Sequence, residues 1–261
     1  MKKGFRWRSK ALYLQHKKFI LTQVKPIPSS DGSKKEQVES MFDSISHKYD
    51  FLNRVLSMGT DNIWRKKCVN ELKSLKPERI LDVATGTGDL AISCLKLKPK
   101  SIVGLDLSAG MLEIGKAKME KKGLSHIIKM MKGDSENLPF EDNRFDAITV
   151  GFGVRNFENL EKGLKEMKRV LRTGGKVAIL EFSKPTNPVF AALYNFYFHK
   201  ILPAWGKLVS KSNSAYTYLP NSVEAFPNGK DFLVILESCG YKQVNYKPLT
   251  FGICSIYTGI K

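Results

Sequence analysis

LDVATGTGDLA, residues 81–91, decides the fold. The apolar run RILDVA (79–84) stops at two glycines, Gly86 and Gly88, and a helix-forming stretch (89–97) starts directly behind them. Glycine lets the backbone turn tightly and approach a ligand with no side chain in the way. Strand, glycine loop and helix in that order make the first unit of a nucleotide-binding α/β sheet. Asp106 ends the next apolar run, SIVGLDL (101–107), 18 residues after Gly88. An acid there suits bidentate hydrogen bonding to ribose hydroxyls. Gly86-x-Gly88-x-x-Ala91 also fits the relaxed dinucleotide pattern, so a nicotinamide enzyme competes with other nucleotide users.

Outward from this loop the chain alternates. A helix is expected over 109–122, a third strand over IIKMMKGD (127–134) and a fourth over RFDAITVGF (144–152). Leu160, Leu164, Met167, Val170 and Leu171 mark a helix that Gly174-Gly175 should end, before a fifth strand, KVAILEF (176–182). This pattern predicts a mostly parallel sheet with helices on both faces. Upstream, Met41, Phe42, Ile45, Tyr49, Leu52, Val55 and Leu56 form one helical stripe, and Trp64, Val69, Leu72 and Leu75 a second. Residues 183–230 break the alternation with a dense set of aromatics, among them Phe190, Tyr197, Phe198, Trp205, Tyr218 and Phe226. Past a short helix (231–238), YKQVNYKPL and GICSIYTGI can pair as an antiparallel hairpin.

At 42% hydrophobic the 261-residue chain can bury a substantial core. It has no run of 18 apolar residues, which argues against a membrane-spanning helix. Cys68, Cys94, Cys239 and Cys254 form no CxxC pair and read as reduced thiols of a cytosolic protein, with no zinc site. The formal charge of +18 is uneven, since residues 1–35 hold ten Lys and Arg against one acid, Asp31. A basic surface attracts nucleic acid or an anionic membrane face, or is simply solvated. Residues 1–24 have no continuous apolar core for a signal peptide, and KPIPSSDGSKK reads as a linker. Residues 1–33 are therefore expected to be a flexible basic tail and linker, and 34–261 a single domain with 183–230 as an insertion.

Asp89 follows the second glycine, at a helix N-terminus where pyrophosphate would not welcome it and a cationic ligand would. LDVATGTGD, GLDLS, GDSENLPF, FDAITVGFG and LRTGG, in that order, resemble the class I methyltransferases that use S-adenosylmethionine. The finer match is to the ubiquinone/menaquinone biosynthesis C-methyltransferase family. MFDSISHKYDFLNRVLSMGTDNIWRK, DVATGTGDLA, GFGVRNF, LEFSKP and YTYLPNSVEAFP carry that resemblance, from about Lys25 to the C-terminus. GVRNFENL looks more like the demethylmenaquinone enzymes within it.

The resemblance implies a Rossmann-like α/β fold of the class I methyltransferase type. Its sheet is mostly parallel with a C-terminal antiparallel strand, a helical N-terminal segment, and an aromatic-rich insertion after strand five. It places Thr87, Gly86 and Gly88 against S-adenosylmethionine, Asp106 on the ribose, Asp134 and Ser135 on the adenine, and Gly151 beside the methyl donor. Asp134 can equally be a turn residue. Arg155 and Asn156 face the methyl acceptor on this reading. The alternatives are a surface ion pair for Arg155 and a helix cap for Asn156. His47 and Tyr49 are candidate helpers, although a lone helical His is more often structural.

The acceptor implied is a ring carbon of a prenylated quinol. Removing a proton from a ring hydroxyl pushes charge onto that carbon, so the protein must align two partners and stabilise a phenolate, with no metal required. Arginine is always charged, so Arg155 suits oxyanion stabilisation better than proton abstraction. An isoprenoid tail calls for an apolar, wide site near a membrane, and residues 188–205 read as a lid or interfacial element, or else as core or a dimer interface. The chain is thus expected to convert demethylmenaquinol to menaquinol, with a ubiquinone-precursor benzoquinol as the alternative ring. It is expected to be cytoplasmic, to touch the anionic inner face of the cytoplasmic membrane, to bind no nucleic acid, and to be compatible with a homodimer. An RNA methyltransferase lacks its usual Asn/Asp-Pro-Pro-aromatic or Pro-Cys signature here. A non-catalytic cofactor-binding subunit of a quinone-synthesis complex is the remaining reading.

Overall fold

The computed structural model of the chain describes residues 24–57, 59–185, 187–196 and 214–261. Most of the leader and the aromatics Tyr197, Phe198 and Trp205 of the expected lid lie outside these residues. Strands β1 (Arg79–Val83), β2 (Ser101–Asp106), β3 (Ile128–Lys132), β4 (Phe145–Gly151), β5 (Leu171–Phe182), β6 (Lys242–Leu249) and β7 (Cys254–Ile260) form one sheet in the order β3-β2-β1-β4-β5-β7-β6. The pairs among β1–β5 are parallel, and β7 runs antiparallel to both β5 and β6. The order reverses between β1 and β4, which opens a crevice at their carboxyl ends, where open α/β sheets take their ligands.

The central strands are apolar because both faces are covered. Along β1 the side chains alternate between two layers. Leu81 and Val83 pack with α5 (Leu160–Val170) and α8 (Lys230–Ser238), while Ile80 packs with α2 (Thr60–Asn70) and α3 (Asp89–Cys94). Helix α5 buries Leu160, Leu164, Met167 and Val170, the stripe its sequence predicts, and Asn159 caps it by accepting from the Lys162 amide at 3.0 Å. Ser108 caps α4 (Ala109–Lys121) in the same way, accepting from the Met111 amide. The two N-terminal stripes become α1 (Lys34–Leu56) and α2, separated at Gly59, whose φ of +74° suits glycine.

One expectation needs correction. Gly174-Gly175 do not end α5: the chain leaves the helix at Val170, and both glycines lie inside β5. The pairing with β4 skips there, from Phe145–Leu171 to Ala147–Lys176, and a Cβ on Gly175 would lie 2.8 Å from the Asp146 carbonyl. The glycines let β5 pass this irregular step. The 183–230 stretch, expected as an insertion, contains α6 (Pro188–Phe196) and α7 (Ser214–Ala225). Helix α7 meets α1 through Val38, Met41 and Tyr218.

Candidate active site

The crevice at the carboxyl ends of β1, β2 and β4 holds a cavity of about 710 Å³, including its open mouth. Four loops floor it, through Ala84 and Gly86, Asp106 to Ser108, Gly133 to Glu136, and Gly151 to Gly153. Lys35, Val38, Glu39, Phe42 and Tyr49 of α1 roof it. Its walls mix apolar side chains with a few convergent polar groups, the character of small-ligand sites.

The glycine loop has one conformation open to it. Gly86 (φ +57°) and Gly88 (φ +86°) are left-handed, and a Cβ on Gly88 would run into the end of the Met119 side chain. The loop is tied down from inside by Asp82. This carboxylate, fully buried in β1, accepts from the Thr149 and Thr85 hydroxyls at 2.6 Å each. Burial pushes its pKa up to about 6 despite those bonds. Asp106 completes the loop, accepting from the Gly86 amide at 2.7 Å and the Ser108 amide at 2.9 Å. Burial raises its pKa, while the backbone amides favour the charged form. A carboxylate has about four lone-pair sites, and the Leu107 amide is a third backbone donor to Asp106, so one remains for a ligand in the cavity Asp106 lines.

Helix α1 closes over this floor through acids and lysines. Asp43 accepts from the Gly110 amide at 2.9 Å and from the Ser108 hydroxyl at 2.5 Å. Lys35 bonds Asp134 at 2.7 Å and lies 3.5 Å from Glu136. Asp50 accepts from Thr87 and pairs with Lys118, which also pairs with Asp89 at 2.8 Å. Burial opposes charge on Asp89, but Lys118 and Arg65 outweigh it and hold the carboxyl below its usual range. The charge of Asp89 is therefore neutralised within the protein, which corrects the reading that it greets a cationic ligand.

The other end of the cavity is built on GFGVRNF. Phe152 (φ +58°) at the end of β4 and Ala84 (φ +52°) at the end of β1 are two left-handed non-glycine residues on the lining. Such conformations cost about 1–3 kcal/mol each and persist only where packing enforces them. A Cβ on Gly153 would lie 2.5 Å from that of Ala84, and one on Gly151 would lie 3.1 Å from Leu90. Arg155 turns inward from the 3-10 turn Val154–Asn156 and is buried. Its guanidinium pairs with Glu181 at 2.8 Å, donates to the Phe152 carbonyl and to the Ser222 hydroxyl, and lies over the Phe182 ring. Glu181 is fully buried, and burial raises its pKa against the pull of Arg155. The Lys34 ammonium donates to the Arg155 carbonyl at 3.0 Å, and burial with Arg155 close by pulls its pKa down to about 7.

Of the residues singled out in the sequence, Gly86, Asp106, Asp134, Ser135, Gly151, Tyr49 and Asn156 line the cavity together. Thr87 and Gly88 shape the loop behind it, and Arg155 sits one layer below. His47 is exposed on α1 and is not brought to the cavity. Asn156 is not a helix cap, because α5 starts at Leu160 and uses Asn159. The surface ion pair imagined for Arg155 is a buried one. Lys34, Lys35, Glu136 and Glu181 were not singled out. Glu181 had a signal, a lone acid in the apolar run VAILEF, which must find a partner when buried. The lysine pair had none, looking like the end of a basic linker. Burial raises the pKa of Tyr49, so it stays a neutral phenol near pH 7. All four cysteines are buried thiols. Among the described residues no group of His, Cys, Asp or Glu is placed to hold a metal ion, and no helix is long and apolar enough to cross a membrane.

The ubiE/COQ5 methyltransferase family model matches residues 30–261. The chain is 50% identical over 240 residues to the demethylmenaquinone methyltransferase of Bacteroides fragilis, covering 92% of this chain and 98% of that protein. It is 47% identical over 230 residues to the ubiquinone/menaquinone biosynthesis C-methyltransferase UbiE of Geotalea daltonii, covering 87% and 97%. In fold it matches the crystal structure of a SAM-dependent methyltransferase from Aquifex aeolicus, with a TM-score of 0.59 and 19% identity over 84% of this chain and 97% of that one. The chain belongs to the ubiE/COQ5 methyltransferase family and is a methyltransferase that uses S-adenosylmethionine.

Proposed function

We propose that the chain methylates a ring carbon of demethylmenaquinol to give menaquinol. The observation that carries this is the 50% identity to a demethylmenaquinone methyltransferase over nearly the full length of both chains. The residues present fit the donor. Asp106 offers an unused lone pair at the ribose position, apolar Leu107, Met111 and Phe157 can flank a purine, and Asp134 and Ser135 lie at its edge. S-adenosylmethionine, when bound, supplies a methyl on a sulfonium, which leaves as a neutral thioether once the carbon–carbon bond forms.

The acceptor enters beside Gly151 and Asn156, and the chain has to make its ring electron-rich. The ring hydroxyl must lose a proton as the carbon attacks, the ring carbon's hydrogen then leaves to restore aromaticity, and the oxygen takes a proton back, so that one proton is released in all. Arg155, held by Glu181 and Ser222 through Nη1 and Nε, leaves its Nη2 N–H groups to donate toward the developing oxyanion. Tyr49, neutral at pH 7, can donate to the acceptor or orient a water. His47 is left out of this scheme, because it faces solvent away from the cavity.

Purified protein with demethylmenaquinol and S-adenosylmethionine should yield menaquinol, read as one added methyl by mass spectrometry. Methylation of a ubiquinone-precursor benzoquinol alone would overturn the naphthoquinol reading in favour of the second ring, which the UbiE relative's name also covers. The domain division proposed is a leader and linker (1–33) and one methyltransferase domain (34–261) with 183–230 as substrate lid. We place the protein in the cytoplasm, in peripheral contact with an anionic membrane face through the basic 1–35 segment, and compatible with a homodimer. Each basic residue engaged near such a surface is worth at most about 1 kcal/mol. Deleting 1–24 should lower co-sedimentation with anionic vesicles and spare turnover of a short-chain acceptor, and equal sedimentation of both forms would sink the leader's role.

A further inference from the structure

Among the described residues two buried side-chain polar atoms have no hydrogen-bond partner, the Asn156 amide oxygen and the Tyr218 hydroxyl. Native proteins satisfy nearly all such groups, so each exception calls for an explanation. These two lie about the same side chain. Asn156 follows Arg155 on the 3-10 turn. Tyr218 stands one helical turn before Ser222 on α7, and the Ser222 hydroxyl accepts from Arg155 Nε at 3.3 Å. Residues four apart on a helix share a face, so Tyr218 looks toward Arg155 as Ser222 does. Burial raises the phenol's pKa while Arg155 lowers it and Glu181 raises it, which puts both charges within reach of the ring. The phenol is therefore a donor at neutral pH.

Tyr218 lies one layer behind the wall of the ligand site. It packs with Val38 and Met41, and Val38 and Phe42 of the same cluster line the cavity that Asn156 lines from below. A hydroxyl that served packing alone would gain nothing over the bare ring of phenylalanine, which fills the same space without an unpaired polar atom.

We propose that Tyr218 is an acceptor-binding residue, its hydroxyl donating to an anionic ring oxygen while the Asn156 amide oxygen accepts from the ring's remaining hydroxyl. Arg155 supplies the charge between them. This assignment rests on the acceptor being a dihydroxy aromatic ring. Tyr218 lies one layer behind Val38 and Phe42, so a ring that enters beside Gly151 and Asn156 reaches it only when α1 parts from α7 at the Val38–Met41–Tyr218 seam.

The test is Tyr218→Phe in the full chain, because the lost hydroxyl has no partner to leave behind. The melting temperature should hold or rise, and the S-adenosylmethionine dissociation constant should stay at the wild-type value. kcat/KM for demethylmenaquinol should fall by about tenfold or more, the scale of one hydrogen bond to a charged group. Binding of 1,4-dihydroxynaphthalene, kept reduced under anaerobic conditions, in the presence of S-adenosylhomocysteine and read by fluorescence quenching, should weaken by several-fold. Equal binding of this quinol by the two proteins overturns the assignment, and so does absence of quinol binding by the wild type. A drop in melting temperature with S-adenosylmethionine affinity falling in parallel marks a structural residue and also overturns it. If the wild type fails to methylate demethylmenaquinol, the proposed reaction fails, and the quinol-binding difference still decides Tyr218.

Discussion

Asp106 and Glu181 are both strand-end acids whose pKa burial raises, yet they are satisfied in opposite ways. Asp106 ends β2 and is held by backbone amides, which leaves a charged edge facing the cavity. Glu181, near the end of β5, is held by the Arg155 guanidinium and has no exposed surface. An acid fixed by peptide dipoles keeps its charge for a ligand, whereas an acid fixed by an arginine has its charge neutralised and fixes the arginine in turn. The cofactor side of the cavity is thus presented by backbone, and the acceptor side is presented by a buried ion pair.

Removing one member of the pair should have the largest effect. Arg155→Ala leaves Glu181 buried without its partner, which typically costs about 3–5 kcal/mol of stability. Urea denaturation should show that loss, and Arg155→Ala with Glu181→Gln should recover much of it. Turnover should not follow: kcat of the restored double variant should stay down by about 10²–10³, as for a lost oxyanion donor. Wild-type stability in Arg155→Ala would break the distinction between the two acids.

The next test uses Lys34, whose folded pKa near 7 lies below its unfolded value. Between these values the unfolded chain binds more protons, so this residue makes stability rise with pH from about 7 upward. Arg155 pushes the amine toward neutrality, and Glu158 and Glu136 oppose it. Lys34→Met abolishes the titration. As pH is lowered from about 9 to 7, the variant should gain on the wild type by at most about 1.4 kcal/mol per unit, and below pH 7 the difference should level off. A difference that is flat with pH would mean that the amine stays charged where it is buried.

The two sides also differ in how much of them the sequence discloses. The glycine loop, Asp106 and the strand alternation are local patterns, and the parallel sheet with its antiparallel end follows from them. Asp106 bonds Ser108, two residues away, and Gly86, which sits at the next strand end of the same sheet. The acceptor side is assembled from afar. Lys34 meets Arg155 across 121 positions, and Arg155 meets Ser222 across 67. No spacing rule spans such separations, so GFGVRNF announces a special site without saying that its arginine turns inward. The same gap explains His47, whose ring chemistry suits a base while its face of α1 points to solvent. It also explains Asp89, whose partners Lys118 and Arg65 come from two other helices.

A smaller effect belongs to the backbone-held acid. Asp106→Asn keeps one acceptor oxygen for the amide donors and removes the charge. S-adenosylmethionine affinity measured by calorimetry should weaken by about 1–3 kcal/mol, the range for a hydrogen bond to a charged group. An unchanged dissociation constant would take Asp106 out of the ribose site and leave it as a loop brace.

The smallest effect separates two asparagines three residues apart. Asn159 accepts from the Lys162 amide and starts α5, whereas the Asn156 amide oxygen has no partner and its nitrogen makes only a long bond, 3.4 Å, to the Phe152 carbonyl. A cap contributes to folding and an unpaired amide at a cavity wall does not. Asn159→Ala should therefore cost about 1 kcal/mol in denaturation and leave kcat alone. Asn156→Ala should leave the denaturation midpoint near the wild-type value, because removing an unsatisfied buried group offsets the loss of one weak bond. Its kcat/KM for the quinol should fall while S-adenosylmethionine affinity holds, since the amide serves the acceptor and not the donor. If the two variants lose stability equally and both keep full turnover, Asn156 is part of the turn's framework, and the acceptor side begins one residue earlier, at Arg155.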